Sequence, residues 1–192
     1  KELNRIFELV VYGDEGHEFR KTMNRIDAYK KISAFLDHNL INSEVNDPVQ
    51  NRHGTHVSGI IAADSTQGPI EGMAPKAKIL PAQFIGNDGG GSIGDAIIAL
   101  NYVAGRGAKI INMSWGLDPC MDIPNLRSTL QDLSNRGILL VTAAGNGDSN
   151  GVGINMDSTP SFPSAYKFAN QINVAAATFN QVLAGFSNYG TV

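Results

Sequence analysis

The stretch Asn51-Arg-His-Gly-Thr-His-Val-Ser-Gly59 places two histidines at the head of a run of small and apolar residues. Histidine charges and discharges near neutral pH, so it is the natural side chain for taking a proton from a nucleophile and returning it. His53 stands at the start of an expected helix and is followed at once by Gly54. A ring so placed can face a substrate across a cleft, and the glycine lets backbone approach closely. The same residues also fit a helix that simply opens with two surface histidines. Zinc is a third reading, but the metalloprotease pattern needs histidines at i and i+4 with a Glu between them. Here His53 and His56 are at i and i+3, and no Glu separates them.

Two further segments could do chemistry. Asn146 follows the apolar run Ile138-Leu-Leu-Val-Thr-Ala143 and a glycine. An amide fixed at a strand end can donate to an oxygen that becomes negative during acyl transfer. Read alone, Gly145-Asn146-Gly147-Asp148 is also a plain turn. In Asp88-Gly-Gly-Gly-Ser-Ile-Gly94, Gly89, Gly91 and Gly94 satisfy Gly-x-Gly-x-x-Gly, between an expected strand and an expected helix. Dinucleotide binding would use that placement. A three-glycine run meets the pattern cheaply, however, and no acidic residue closes a second strand near Asn112.

These groups need elements to hold them. Strands are expected at residues 7–12, 77–84, 109–113, 138–143 and 172–177, and helices at 21–36, 53–63, 92–106 and 125–136. In the 92–106 helix, Ile93, Ala96, Ile97, Leu100 and Val103 form one apolar face, Ser92 can cap the start, and Gly107 stops the end. Alternating strands and helices with short links predict an α/β domain with a mainly parallel sheet. The near-continuous apolar run at Ile138 predicts a strand buried on both faces. Ligands of such sheets bind at the carboxyl ends of the strands, where the glycine clusters fall.

Bulk composition narrows the classes. The chain has 192 residues, 42% of them hydrophobic and 17% charged, with a formal net charge of -3. That is enough for one sizeable core. No basic block or stripe points to nucleic acid. Apolar stretches are broken well short of the roughly 18 residues a membrane span requires. The one cysteine, Cys120, rules out an internal disulfide framework and reads as a loop residue. The chain opens on Lys1 without a Met or a leader, which fits a processed or partial chain.

The histidine block resembles the signature His-Gly-Thr-His-Val-[Ser/Ala]-Gly of the subtilisin-like serine peptidases. Four later segments resemble further blocks of that family, in family order. They are Gly72-Met-Ala-Pro75, Ile110-Ile-Asn-Met-Ser-Trp-Gly116, Val141-Thr-Ala-Ala-Gly-Asn146 and Ala184-Gly-Phe-Ser-Asn-Tyr-Gly190. The resemblance runs from about residue 45 to the end. It implies a three-layer α/β fold, with a mainly parallel central sheet flanked by helices and the C-terminal part lacking. Residues 1–192 would form a single partial domain with a divergent portion at 1–44. It implies that His53 is the general base and that the Asn146 side chain donates into the oxyanion hole. Gly89, Gly90 and Gly91 would pair with extended substrate on one side, and Ser114, Trp115 and Gly116 on the other. Phe162-Pro163 falls where the family often has a cis proline.

The resemblance also marks departures. The family's Asp-[Ser/Thr]-Gly, whose Asp orients the histidine, is matched best by Val10-Val-Tyr-Gly-Asp-Glu-Gly16, giving Asp14. Glu15 stands where Ser or Thr is usual; Asp37 is an alternative without the glycine, and the Asp can also be absent or lie outside the chain. The nucleophilic Gly-Thr-Ser-[Met/Leu]-Ala is not present before Val192. The expectation is therefore a serine endopeptidase whose nucleophile lies after residue 192, with this fragment inactive alone. The alternatives are a catalytically inactive binding or scaffold module of the same fold and, further off, a nucleotide-binding enzyme. No cofactor is required. Calcium is possible as a structural ion at the loop of residues 63–71, through Asp64 or Glu71, although Thr66 replaces the usual Asn. Implied partners are a polypeptide substrate, an inhibitor or propeptide, and the remaining C-terminal segment. Family resemblance implies a secreted or extracytoplasmic location.

Overall fold

The computed structural model describes residues 53–66, 70–86, 89–117 and 121–191. The expected strand at 7–12, the expected helix at 21–36, Asp14, Asp37 and Cys120 lie outside these residues. The chain divides into two compact units, Lys1–Ser92 and Ile93–Val192.

In the first unit, α1 spans His53–Ala62 and buries Thr55 and Gly59. Helix ends leave carbonyls without intrahelical partners. Here the turn at Gly72 supplies donors. Met73 N–H donates to Ile60 O at 3.0 Å, Ala74 N–H to Ile61 O at 2.7 Å, and Gly72 N–H to Ala63 O at 2.9 Å. A side chain at position 72 would collide with the backbone of Ala62 and Ala63, which requires glycine there. No strand forms at residues 77–84. A strand needs a ladder partner, and among the described residues of this unit the backbone pairs only as an isolated antiparallel bridge between Ile85 and Gly91.

In the second unit, α2 (Ile93–Gly105), β1 (Ile110–Met113), α3 (Pro124–Asn135), β2 (Leu139–Ala143) and β3 (Gln171–Val174) follow in order. The three strands form a parallel sheet in the order β1-β2-β3, with Ile111 opposite Leu140 and Leu140 opposite Gln171. Each helix ends in the same way. Gly107 N–H donates to Ala104 O and Ala108 N–H to Val103 O; Gly137 N–H donates to Ser134 O and Ile138 N–H to Leu133 O. This is the paired bonding of a Schellman end, with the glycines at φ +90° and +77°. Helix α3 starts on Pro124, whose ring presets the helical φ and whose missing N–H would have no partner in the first turn.

The core joins Ala96, Leu100, Val103 and Ala104 of α2, Leu126, Leu130 and Leu133 of α3, and Ile111, Met113 and Leu140 of the sheet. Helix α3 packs on β2 and α2 packs on α3. Burial along β2 alternates instead of covering both faces, and β1 and β3 show Ile110 and Ile172 at 62% and 50% exposure. The expected burial on both faces is therefore not met within this unit, because its helices cover the face that carries Ile111, Met113 and Leu140.

Candidate active site

Parallel pairing sets the carboxyl ends of β1 and β2 side by side, since Met113 lies opposite Thr142. The segments that leave those ends, residues 114–117 and 144–147, therefore start as neighbours. After β1, Asn112 Nδ2 donates to Ser114 Oγ at 2.9 Å, and Leu117 N–H donates to Phe162 O at 2.9 Å. Ser114 and Trp115 are half-buried and Gly116 is exposed. The Phe162–Pro163 peptide bond beside this strand is cis. Pro163 is held from below: Gln171 Nε2 donates to the carbonyls of Pro163 and Ser164, both at 3.1 Å, and to Asn173 Oδ1 at 2.8 Å. Asn173 Oδ1 also accepts from Thr142 Oγ1. The buried Tyr166 anchors the same loop by donating to Asp122 Oδ1 at 2.9 Å, and Asp122 is paired with Arg127.

After β2 the chain turns at a pair of glycines with positive φ. Asn146 is exposed and sits between Gly145 at φ +114° and Gly147 at φ +84°. Both dihedrals are ones that L side chains rarely adopt. The loop is held by Asn188, which is 4% exposed. Its Nδ2 donates to Ala144 O at 3.0 Å, while its Oδ1 accepts from Gly147 N–H and Ile154 N–H, both at 3.0 Å. Ser187 Oγ accepts from Ala176 N–H at 2.9 Å and donates to Asn188 O at 3.1 Å. This serine is 1% exposed, with its hydroxyl engaged in both bonds.

Two carboxylates brace the next turns. Asp148 Oδ1 accepts from Val152 and Asn150 N–H, and these bonds, Val152 foremost, hold its carboxyl below the ordinary value. Asp157 accepts from the Thr191 hydroxyl at 2.7 Å and from its N–H, and the same two bonds hold its carboxyl below 3.8. A lowered native pKa means that this contact stabilises above the ordinary carboxylate range and is lost as pH falls through the lowered value. The Thr191 amide resonance should follow that titration with a midpoint below 3.8, and Asp157→Asn should abolish the transition. A Thr191 resonance that titrates at or above the ordinary Asp value would contradict it.

In the first unit, His53 is exposed at the first position of α1. Gly54 has open space where a side chain would project, so the close backbone approach expected there is not found among the described residues. At the glycine loop, Gly86 N–H donates to Gly90 O at 2.7 Å and Gly89 N–H to Gly86 O at 3.0 Å. Gly89, Gly90 and Gly91 are exposed on it. A dinucleotide fingerprint follows a sheet strand, and among the described residues no sheet strand precedes this loop, so the nucleotide reading loses its structural context there. Asp64 Oδ1 accepts the Thr66 N–H at 3.0 Å. No group of three His, Cys, Asp or Glu side chains placed to hold a metal occurs among the described residues.

The Ser114-Trp115-Gly116 segment and the Asn146 loop thus leave adjacent strands of one unit, and His53 and the three glycines belong to the other. Residue-level reading does not single out Asn188, which holds the Asn146 loop. Its signal was present, an amide inside the Gly-flanked Phe186-Ser-Asn-Tyr-Gly190 block, but its partners lie 34 to 44 residues away.

A parallel α/β sheet that carries these loops at its carboxyl edge is the scaffold of the subtilisin-like peptidases. The chain belongs to the Subtilase family, whose model matches residues 18–192. It is 39% identical over 147 residues to the thermophilic serine proteinase of Bacillus sp. (strain AK1), covering 76% of this chain and 34% of that protein. It is 37% identical over 139 residues to the major intracellular serine protease of Bacillus subtilis (strain 168), covering 72% and 41%. It is 32% identical over 165 residues to the cell wall-associated protease of the same strain, covering 85% and 17%. The chain spans less than half the length of these curated relatives. Among the described residues, no helix is long and apolar enough to cross a membrane.

Proposed function

We propose that the protein carrying this chain is a serine endopeptidase that cleaves polypeptides through an acyl-enzyme. The family membership and the serine protease relatives support the class of reaction. The observation that carries the reading is the exposed Asn146 on a loop held rigid by buried hydrogen bonds. In this reading a serine on a segment after residue 192 attacks the substrate carbonyl carbon while His53 takes its proton. The carbonyl oxygen becomes negative and accepts from the Asn146 amide. The C–N bond then breaks, His53 returns the proton to the leaving amine, and water releases the acyl group by the same steps. Asp14 would orient His53. Gly89, Gly90 and Gly91, and likewise Ser114, Trp115 and Gly116, would each pair with extended substrate by strand addition.

The chemistry needs no cofactor. Any calcium would be a structural ion, with Asp64 or Glu71 as an oxygen donor. A location outside the cytoplasm is proposed on the cell wall-associated relative, and the intracellular relative supports the opposite. Incubation of the full-length protein with unfolded casein tests the function. The expected result is release of peptides, stopped by phenylmethylsulfonyl fluoride. A folded full-length protein that leaves casein intact would favour a non-catalytic binding module of the same fold.

A further inference from the structure

We infer that Asn188 is the positioning residue of the oxyanion donor, an inference that rests on the role proposed above for Asn146. The bonds of Asn188 straddle position 146. Its side-chain donor holds the carbonyl of residue 144, its backbone N–H holds the carbonyl of Gly145 at 3.1 Å, and its side-chain acceptor holds the N–H of residue 147. The second bond to that acceptor comes from Ile154 N–H and ties in the returning limb of the loop. Residue 146 is thus the one position from 144 to 147 that Asn188 leaves unbonded, and its side chain is exposed.

The chemistry of this clamp is specific to an amide. It donates to one carbonyl and accepts from two N–H groups at once. A carboxylate can do only the accepting, and a hydroxyl is too short to bridge both limbs. The fit is close, because a side chain at Gly145 would strike Asn188 Nδ2. Asn188 is itself held by Ser187, whose hydroxyl donates to the Asn188 carbonyl. A buried amide with such bonds fixes its partners, and an oxyanion donor works only when it is already in place as charge develops.

The test is a double-mutant cycle in the full-length protein, with kcat expressed per active site titrated by a fluorophosphonate. Asn188→Ala should lower kcat by about 10²-fold, the scale of an ångström-sized misplacement, and should leave KM within about threefold. On an Asn146→Ala background the same change should cost less than about threefold, because the donor it positions is gone. Asn188→Asp keeps both accepting bonds and loses the donor to Ala144. It is the variant to read where Asn188→Ala does not fold, and it should lower kcat at least tenfold with the same coupling. A lowered melting temperature with kcat per active site unchanged would overturn the inference, as would a loss that persists in full on the Asn146→Ala background. If Asn146→Ala alone leaves kcat unchanged, the oxyanion reading itself fails. If it lowers kcat and Asn188 does not couple to it, only the role of Asn188 fails.

Discussion

Replacing His53 with Ala should lower kcat for peptide hydrolysis by the full-length protein by about 10⁶-fold, a scale carried over from the same histidine in subtilisin. The physical reason is that a serine hydroxyl is a poor nucleophile until a base takes its proton in the transition state. His53 is suited to that task by type and place. It is the first residue of α1, exposed, on a helix whose other end is tied down by the Gly72 turn. His56, one turn on and half-buried, is the internal control. His56→Gln should leave at least about a tenth of the parent kcat, because a residue that only supports the helix acts on stability before rate. Steady-state kinetics of both variants on one peptide substrate separate the two histidines. Equal losses would contradict the assignment of the base to His53.

Replacing Asn146 with Ala should lower kcat by about 10²–10³-fold, or about 3–4 kcal/mol in the barrier. This scale, too, comes from the corresponding residue type in subtilisin. KM should change little, because the donor meets a fully negative oxygen only after attack, and an interaction made mainly in the transition state acts on kcat. Asn146→Asp should be at least as damaging, since it replaces the donor with a like charge facing the oxyanion. The loop should survive both changes, because its hydrogen bonds run from Ala144, Gly145 and Gly147 to Asn188 and not through the side chain at 146. A melting temperature unchanged within about 3 °C, together with the fall in kcat, is the expected pair of readings. A large fall in KM-dependent binding at constant kcat would contradict the oxyanion role.

Much of this was legible before any coordinates, and the reasons are local. Gly107 ended its helix where expected because a helix end needs a left-handed residue a few positions on, and only glycine takes that conformation cheaply. The strand at residues 138–143 was readable from its apolar run, and the Asn146 turn from the glycines around it. What was not legible depends on distant partners. Residues 77–84 have strand composition, but a strand exists only where another accepts its bonds. The run at Ile138 is apolar throughout, yet burial alternates along it because the helices of its unit lie on one face. Gly54 reads as a close-approach glycine yet has open space beside it, while Gly72 is pressed against the end of α1. The clamp at Asn188 joins segments more than 30 residues apart, and no local rule of spacing reports such a pairing.

The central claim is that His53 and Asn146 serve a serine acyl-transfer site completed by a serine beyond residue 192. Fluorophosphonate labelling of the folded full-length protein, read by mass spectrometry, tests it most directly. The account predicts one phosphonyl group on a serine after residue 192, with labelling nearly abolished by His53→Ala and slowed by Asn146→Ala. A folded full-length protein that takes no label, or one labelled instead at Ser114 or Ser187, would contradict it.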